Sequence, residues 1–520
     1  MTSIDLLYPG EEYRNFNLSE FSFIEELNLY DILGLNKNSF DLRQYFTKSK
    51  ETIKYRNDIL SDFVKNGCLA ELEEIIKLIG AIIEARESKK QVSELISVLY
   101  SAFEIENYII LIEYLNKFLN RHKFSSAALA DLKAYSEKIS GSEEYINLKK
   151  NLKSFRMAVD NVKSITVGIN FDENLKPYEA GVVSINASNY RSGNLMDRIL
   201  SLDTKDDGYR CISPLSPVKG EIKDNYSLIA AFNNALEGII KNNLKSWQPM
   251  VKKYAAENTD YFISMSKDLQ FYRALMKYIY KCKENNLDIV KPDIVSENAG
   301  VNLKNIYFMP IALNSDEVIY NNVEFDGGGQ IYILTGPNQG GKSVFLKTIG
   351  VNQALFQLGC FVNASKAAMK ISPEILVYLT KNNEKSIGYG HLGEECSAVS
   401  KLLKYAGKDC LFLFDEAFSS TSASDQCYIA CEVLTALSKL GCYGLFITHN
   451  YDIYEKIKET ASNLSQGDSR FDSLSALMDE SEKTKRSYKI VRKTPAKNSF
   501  AADIAKKYNL LREDILRGAL

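Results

Sequence analysis

Residues 336–343 read Gly-Pro-Asn-Gln-Gly-Gly-Lys-Ser, a full match to the phosphate-loop pattern G-x-x-x-x-G-K-[ST]. Its flanks restrict what the chain can fold into. The apolar run Ile331–Leu334 precedes it as a strand, and Val344–Ile349 follows with the character of a helix. A strand–loop–helix unit of this kind belongs to an α/β domain with a buried, mostly parallel sheet, expected from about residue 301 onward. The cradle would be formed by Gly336, Pro337, Asn338, Gln339, Gly340 and Gly341. Their N–H groups (Pro337 has none) close on phosphate oxygens at the positive end of the helix dipole. Lys342 would reach the β- and γ-phosphates and Ser343 would ligate Mg²⁺, which points to a nucleoside triphosphate as ligand.

Two further strand ends complete the pattern. Leu411-Phe-Leu-Phe-Asp-Glu416 is an apolar strand closing on two carboxylates. Asp415 is expected at the C-terminal edge of the sheet, beside the phosphate loop, where it can hold Mg²⁺. Glu416 is suited to orienting or deprotonating an attacking water. Leu445-Phe-Ile-Thr-His449 ends in one of only three histidines in the chain. On a strand next to that of Asp415, His449 would sense a γ-phosphate.

Composition narrows the alternatives. At 520 residues the chain is too long for one ordinary domain. Its nine cysteines are scattered and read as buried thiols rather than a disulfide framework or a zinc site. No run of 18 apolar residues and no basic region ahead of an apolar core are present. Neither a membrane span nor a signal peptide is therefore expected, and a cytoplasmic location follows by default. The net charge of −2 does not advertise a nucleic-acid binder, so any DNA contact must come from a local patch.

Upstream, residues 1–40 form a mixed N-terminal segment and 41–300 a helical domain. Leu72, Ile75, Ile76, Ile79 and Ile82 recur at helical spacing. Ile165, Val167, Ile169 and Phe171 alternate, predicting a β-hairpin over 164–187. Two long antiparallel helices are expected within 225–286. Residues 301–520 form the nucleotide-binding domain, in which the polar stretch Ser462–Arg486 reads as a mobile loop or a solvated hairpin.

These residues also resemble the MutS family. Thr335-Gly-Pro-Asn-Gln-Gly-Gly-Lys-Ser343 is similar to its T-G-P-N-M-x-G-K-S, and Asp415-Glu-Ala-Phe-Ser-Ser-Thr-Ser-Ala-Ser-Asp425 to its D-E-x-x-x-G-T-S-T-x-D. Phe446-Ile-Thr-His449 resembles F-x-T-H. Asn498-Ser-Phe-Ala-Ala-Asp-Ile-Ala-Lys-Lys-Tyr-Asn-Leu510 resembles K-S-Y-G-x-x-V-A-x-x-A-G-L. The match covers about 301–520. The helical middle, including Tyr55-Arg-Asn-Asp-Ile-Leu60, is similar in layout to the family's core and lever helices.

The resemblance implies an ABC-like ATPase domain that works as a homodimer on DNA, with ATP and Mg²⁺ as cofactors and helices at 499–520 in the dimer interface. It adds Asn321 and Asp425 to the nucleotide-binding positions. The family's aromatic position before Asn321 is Val318 here, with Tyr320 as a substitute for stacking on adenine. The trans-acting S-T-F-M-x-E becomes Tyr389-Gly-His-Leu-Gly-Glu394, so Glu394 aligns while Tyr389 replaces the serine. The chain is expected to be a short form, without the family's mismatch-reading domains or a C-terminal nuclease domain. Phe23-Ile-Glu25, which fits the mismatch wedge pattern, reads as core. The hairpin at 164–187 and lysine clusters at 149–153 and 241–253 are the local features favouring DNA. The alternative is an ATP-gated protein-interaction scaffold that does not bind DNA.

Overall fold

The computed structural model describes residues 4–91, 94–160, 163–186, 188, 213–215, 259–296, 299–326, 330–380, 390–464, 470–478, 486–494 and 512. Helix α1 (Lys50–Asn66) is followed by α2 (Leu69–Ser88), α3 (Glu94–Arg121), α4 (Ala127–Ser140) and α5 (Glu143–Asp160). Strands β1 (Ser164–Phe171), β2 (Pro177–Asn186) and β3 (Ser213–Leu215) come next, then the long helix α6 (Asp260–Glu284). The chain divides into two compact units, residues 1–4 with 70–270 and residues 5–69 with 271–520.

The first unit is helical with a small sheet. Leu72, Ile75, Ile79 and Ile82 of α2 are buried, as are Ile109, Ile112 and Leu115 of α3, because apolar residues three and four apart share one helix face. Glu104 is fully buried in α3 and is held by Arg86 at 3.0 Å, by Lys89 and by the Thr259 hydroxyl at 2.7 Å. A buried carboxylate needs such cations and donors to stay charged. Strands β1 and β2 pair antiparallel, with β3 on the outer side of β2. At the hairpin tip the Asp172 carboxylate accepts the N–H groups of Asn174 and Lys176, and Leu175 is left-handed.

The second unit is built on a six-stranded sheet in the order β13-β12-β7-β11-β10-β9. These are β7 (Ile331–Thr335), β9 (Ile375–Leu379), β10 (Leu411–Asp415), β11 (Tyr443–Ile447), β12 (Phe471–Met478) and β13 (Arg486–Arg492). All are parallel except the edge strand β13. Strands β7, β10 and β11 are buried throughout because helices cover both faces, which is why they read as continuous apolar runs. Helix α7 (Lys342–Gln357) lies on one face, with Gly350 against Leu413. Phe412, Phe414 and Phe446 point to the other. There they pack with α8 (His391–Leu403), α9 (Ala423–Lys439) and α10 (Asp452–Leu464). A second sheet has the order β4-β8-β5-β6, from β4 (Asp293–Ile294), β5 (Val301–Ile306), β6 (Asn321–Phe325) and β8 (Lys366–Met369).

The units divide at 69/70 and 270/271, not at the 40/41 and 300/301 boundaries read from periodicity. Polar bonds, to which periodicity is blind, fasten the N-terminal residues into the second unit. Glu374 accepts the N–H groups of Ser19 and Glu20, each at 3.0 Å, and pairs with Lys48 at 2.9 Å. Gln357 donates to the Thr47 carbonyl, and buried Arg56 donates to the carbonyls of Leu7 and Tyr45. Phe23 and Ile24 are core. Of the stretch 462–486, read as a mobile loop or a solvated hairpin, the described part does pair as a hairpin with β13 but is largely buried rather than solvated. It contains strand β12, paired with β7 inside the main sheet. Polar Asp472, Ser473 and Ser475 mask the strand signal. Of the expected helices at 225–286, only Asp260–Glu284 lies within the described residues, while 499–520 lies outside them apart from residue 512.

Gly444 tests the register of this sheet. It faces Phe412 across β10 and β11, and a Cβ there would stand 1.9 Å from the Phe412 carbonyl oxygen. Gly444→Ala is therefore expected to cost about 3 kcal/mol or more, or to prevent folding. An unchanged urea midpoint would contradict this pairing.

Candidate functional site

The phosphate loop leaves β7 at Thr335 and enters α7 at Lys342. Three residues take left-handed or related positive-φ conformations, Gly336 at +140°, Gln339 at +59° and Gly341 at +85°. At Gly336 glycine is required twice over, since an added Cβ would lie 2.8 Å from that of Ala476 on β12. The buried Lys342 Nζ donates to the carbonyls of Gly336 (3.1 Å) and Pro337 (3.0 Å). Burial pulls the lysine below its ordinary pKa, while the nearby carboxylates of Glu416 and Asp415 act in the opposite direction.

Strands β10 and β11 run side by side with Asp415 opposite Ile447, so both polar ends emerge at the same sheet edge. Asp415 is buried, and burial raises its pKa against the effect of a hydrogen bond from Ser343. Its Oδ1 is buried with no hydrogen-bond partner among the described residues. An orphaned carboxylate oxygen next to a hydroxyl is the donor set that suits a hard divalent cation, and Mg²⁺ typically uses one or two carboxylates with the rest of its shell from phosphate and water. Glu416 is left-handed at φ +51°, and its Oε1 lies 2.6 Å from His449 Nε2. That contact holds the Glu416 carboxyl below its ordinary range despite partial burial.

A cavity of about 820 Å³ is lined by several of these groups, Asp415 not among them. Asn338 through Ser343, Glu416 and His449 line it together with the apolar Tyr307, Phe308, Ile311 and Val318. Asn321 also lines it, but its amide is engaged by β13, donating to the Tyr488 carbonyl and accepting the Ile490 N–H. Asp425 is not on the cavity wall. It accepts from Ser422 in the first turn of α9, whose N-cap is Ser422 itself. Tyr320 packs edge-on against Tyr307 and does not line the cavity. Tyr488, half exposed on the cavity wall beside Gly341, was missed by the sequence reading. It lies just beyond the stretch read as a loop, where an isolated aromatic carries no period. Tyr389 lies outside the described residues, and Glu394 is exposed on the first turn of α8.

Comparison with known proteins is consistent with this geometry. Residues 332–519 match the family model described as MutS domain V, and residues 48–284 match that of the MutS2 N-terminal domain. The chain is 31% identical over 211 residues to a DNA mismatch repair protein MutS of Prochlorococcus marinus, covering 39% of this chain and 23% of that one. It is 33% identical over 150 residues to the DNA mismatch repair protein MSH2 of Saccharomyces cerevisiae, covering 28% and 16%. With MutS of Lactobacillus gasseri it shares 25% identity over 267 residues, covering 49% and 29%. The matched region thus spans less than a third of these relatives. With both units matched, and the phosphate loop, Asp415-Glu416 and His449 meeting at one sheet edge, the chain belongs to the MutS family.

Proposed function

We propose that this chain is a Mg²⁺-dependent ATPase that acts as a homodimer on duplex, mismatched or branched DNA in repair or recombination. The observation that carries the ATPase reading is the meeting of Lys342, Ser343 and Glu416–His449 on one cavity, with Asp415 held by Ser343. The loop amides and Lys342 hold the triphosphate, and Tyr488 offers a ring to the base. Ser343 and Asp415 would hold Mg²⁺, which supplies charge neutralisation on the phosphate oxygens when bound. Glu416, kept ionised by His449, accepts a proton from the attacking water, and His449 is placed to report on the γ-phosphate.

The Glu416–His449 contact sets the pH response. His449→Ala removes the hydrogen bond that depresses the Glu416 pKa, so that pKa rises and less of the base is ionised at a given acidic pH. The acid limb of turnover is expected to move to higher pH, read from a profile between about pH 4 and pH 8. An unmoved limb would detach His449 from the base.

DNA is tested by binding homoduplex, mismatched and four-way DNA at several salt concentrations, with and without a non-hydrolysable ATP analogue. Nucleotide-dependent, salt-sensitive binding to at least one is the expected outcome. Absence of binding to all of them at low salt would sink the DNA part. One observation favours a second reading, that of a protein-binding scaffold. The hairpin end exposes Ile169, Phe171 and Leu175 by 51, 53 and 81%. Its charged residues there, Asp172, Glu173 and Lys176, sum to a negative charge unsuited to phosphate.

A further inference from the structure

The phosphate loop is held by two cations, and the sequence pattern accounts for only one. Lys342 takes the carbonyls of Gly336 and Pro337. The next carbonyl, that of Asn338, accepts from Arg486 Nε at 3.2 Å. Arg486 is the first residue of β13, where it pairs with Met478 of β12, and its Nη1 lies 3.0 Å from the Met478 sulfur. The strand behind it is fixed on both sides. Strand β12 pairs with β7, which delivers the loop, and Asn321 bonds the backbone of β13 at Tyr488 and Ile490. Lys489 adds a bond to the Tyr320 carbonyl at 2.8 Å. The Arg486 charge is close enough to Lys342 to disfavour its protonated form.

Three consecutive carbonyls are held by cations and the Gly340 N–H turns back onto the Pro337 carbonyl at 3.2 Å, so the other N–H groups of the loop can face an anion in the manner of a backbone nest. The two cations have different freedom. In the proposed ATPase cycle Lys342 must give up its two carbonyls to meet phosphate oxygens. Arg486 has no such second task and can keep its bond. We propose that Arg486 is a positioning residue for the phosphate loop, holding the Asn338 carbonyl and adding positive charge while Lys342 engages the triphosphate. This rests on the nucleotide-site reading above and adds the edge hairpin β12–β13 to the site.

The test uses the full chain and its Arg486→Met and Arg486→Lys variants, with Mg-ATP titrated by calorimetry at several salt concentrations. Arg486→Met is expected to raise the ATP Kd about tenfold, in line with loss of one charge-assisted hydrogen bond. It should also flatten the dependence of Kd on salt. Arg486→Lys should stay within about threefold of the parent Kd and keep its salt slope. The thermal midpoint without nucleotide should be unchanged in both. A parent-like ATP Kd in Arg486→Met overturns the proposal. So does an equal loss in Arg486→Lys, or a fall in the nucleotide-free midpoint that accounts for the weaker binding. Failure of the parent chain to bind ATP would instead overturn the nucleotide-site reading itself.

Discussion

Lys342→Ala should weaken Mg-ATP binding by at least about a hundredfold, so that a titration reaching a few hundred micromolar shows no saturation. Two losses combine. The variant removes the charge intended for the β- and γ-phosphates, where charge-assisted bonds are at their strongest. It also removes the donor that holds the carbonyls of Gly336 and Pro337 in a buried setting, of which that of Pro337 keeps its bond from the Gly340 N–H. The lysine's depressed pKa reflects a desolvated cation, whose charge an anionic ligand would compensate. The neighbouring pair Asp415–Ser343 should survive, and the protein should remain folded by circular dichroism. Saturable binding with parent-like Kd would show that this loop does not hold the nucleotide.

Glu416→Gln is expected to separate binding from turnover. Steady-state hydrolysis should fall by about a thousandfold, within the range for removal of a general base. The ATP Kd should change by less than about threefold, because glutamine keeps the shape and can still accept a hydrogen bond from His449 Nε2. The left-handed backbone at 416 is a constraint on both residues and should not distinguish them. The bound, unhydrolysed state should accumulate, and an increase in dimer on sedimentation with ATP would support closure of two copies. Parent-like hydrolysis would remove Glu416 from the proposed role and leave His449 without the partner argued for it.

The placement of the candidate site residues was legible where local pattern and tertiary position coincide. Each of the three motifs is an apolar strand ending in a reactive residue, and parallel strands ending at one edge bring such residues together without further information. Strand β1 and the α2 stripe were readable for the same reason, since a period of two or of three to four is a local property. Arg486 and Tyr488 were not readable. Strand β13 is mostly polar, its register comes from β12, and its position over the loop comes from Asn321 far upstream. Asn321 and Asp425 were singled out by likeness to a family pattern. The structure gives Asn321 a bond to distant β13 and Asp425 a bond within its own helix turn, neither of which residue type alone reveals.

The joining of residues 5–69 to residues 271–520 has a consequence for the order of synthesis. The segment that carries Ser19, Thr47, Lys48 and Arg56 leaves the ribosome first, yet the carboxylate of Glu374 and the amide of Gln357 are made hundreds of residues later. The helical unit between them can complete its own core in the interval, since domains tend to fold as they emerge. The nucleotide-binding unit can close only near the end of translation. A gene fragment beginning at residue 301 would lack the strand of contacts that closes it, so any isolated version of this unit has to include both pieces.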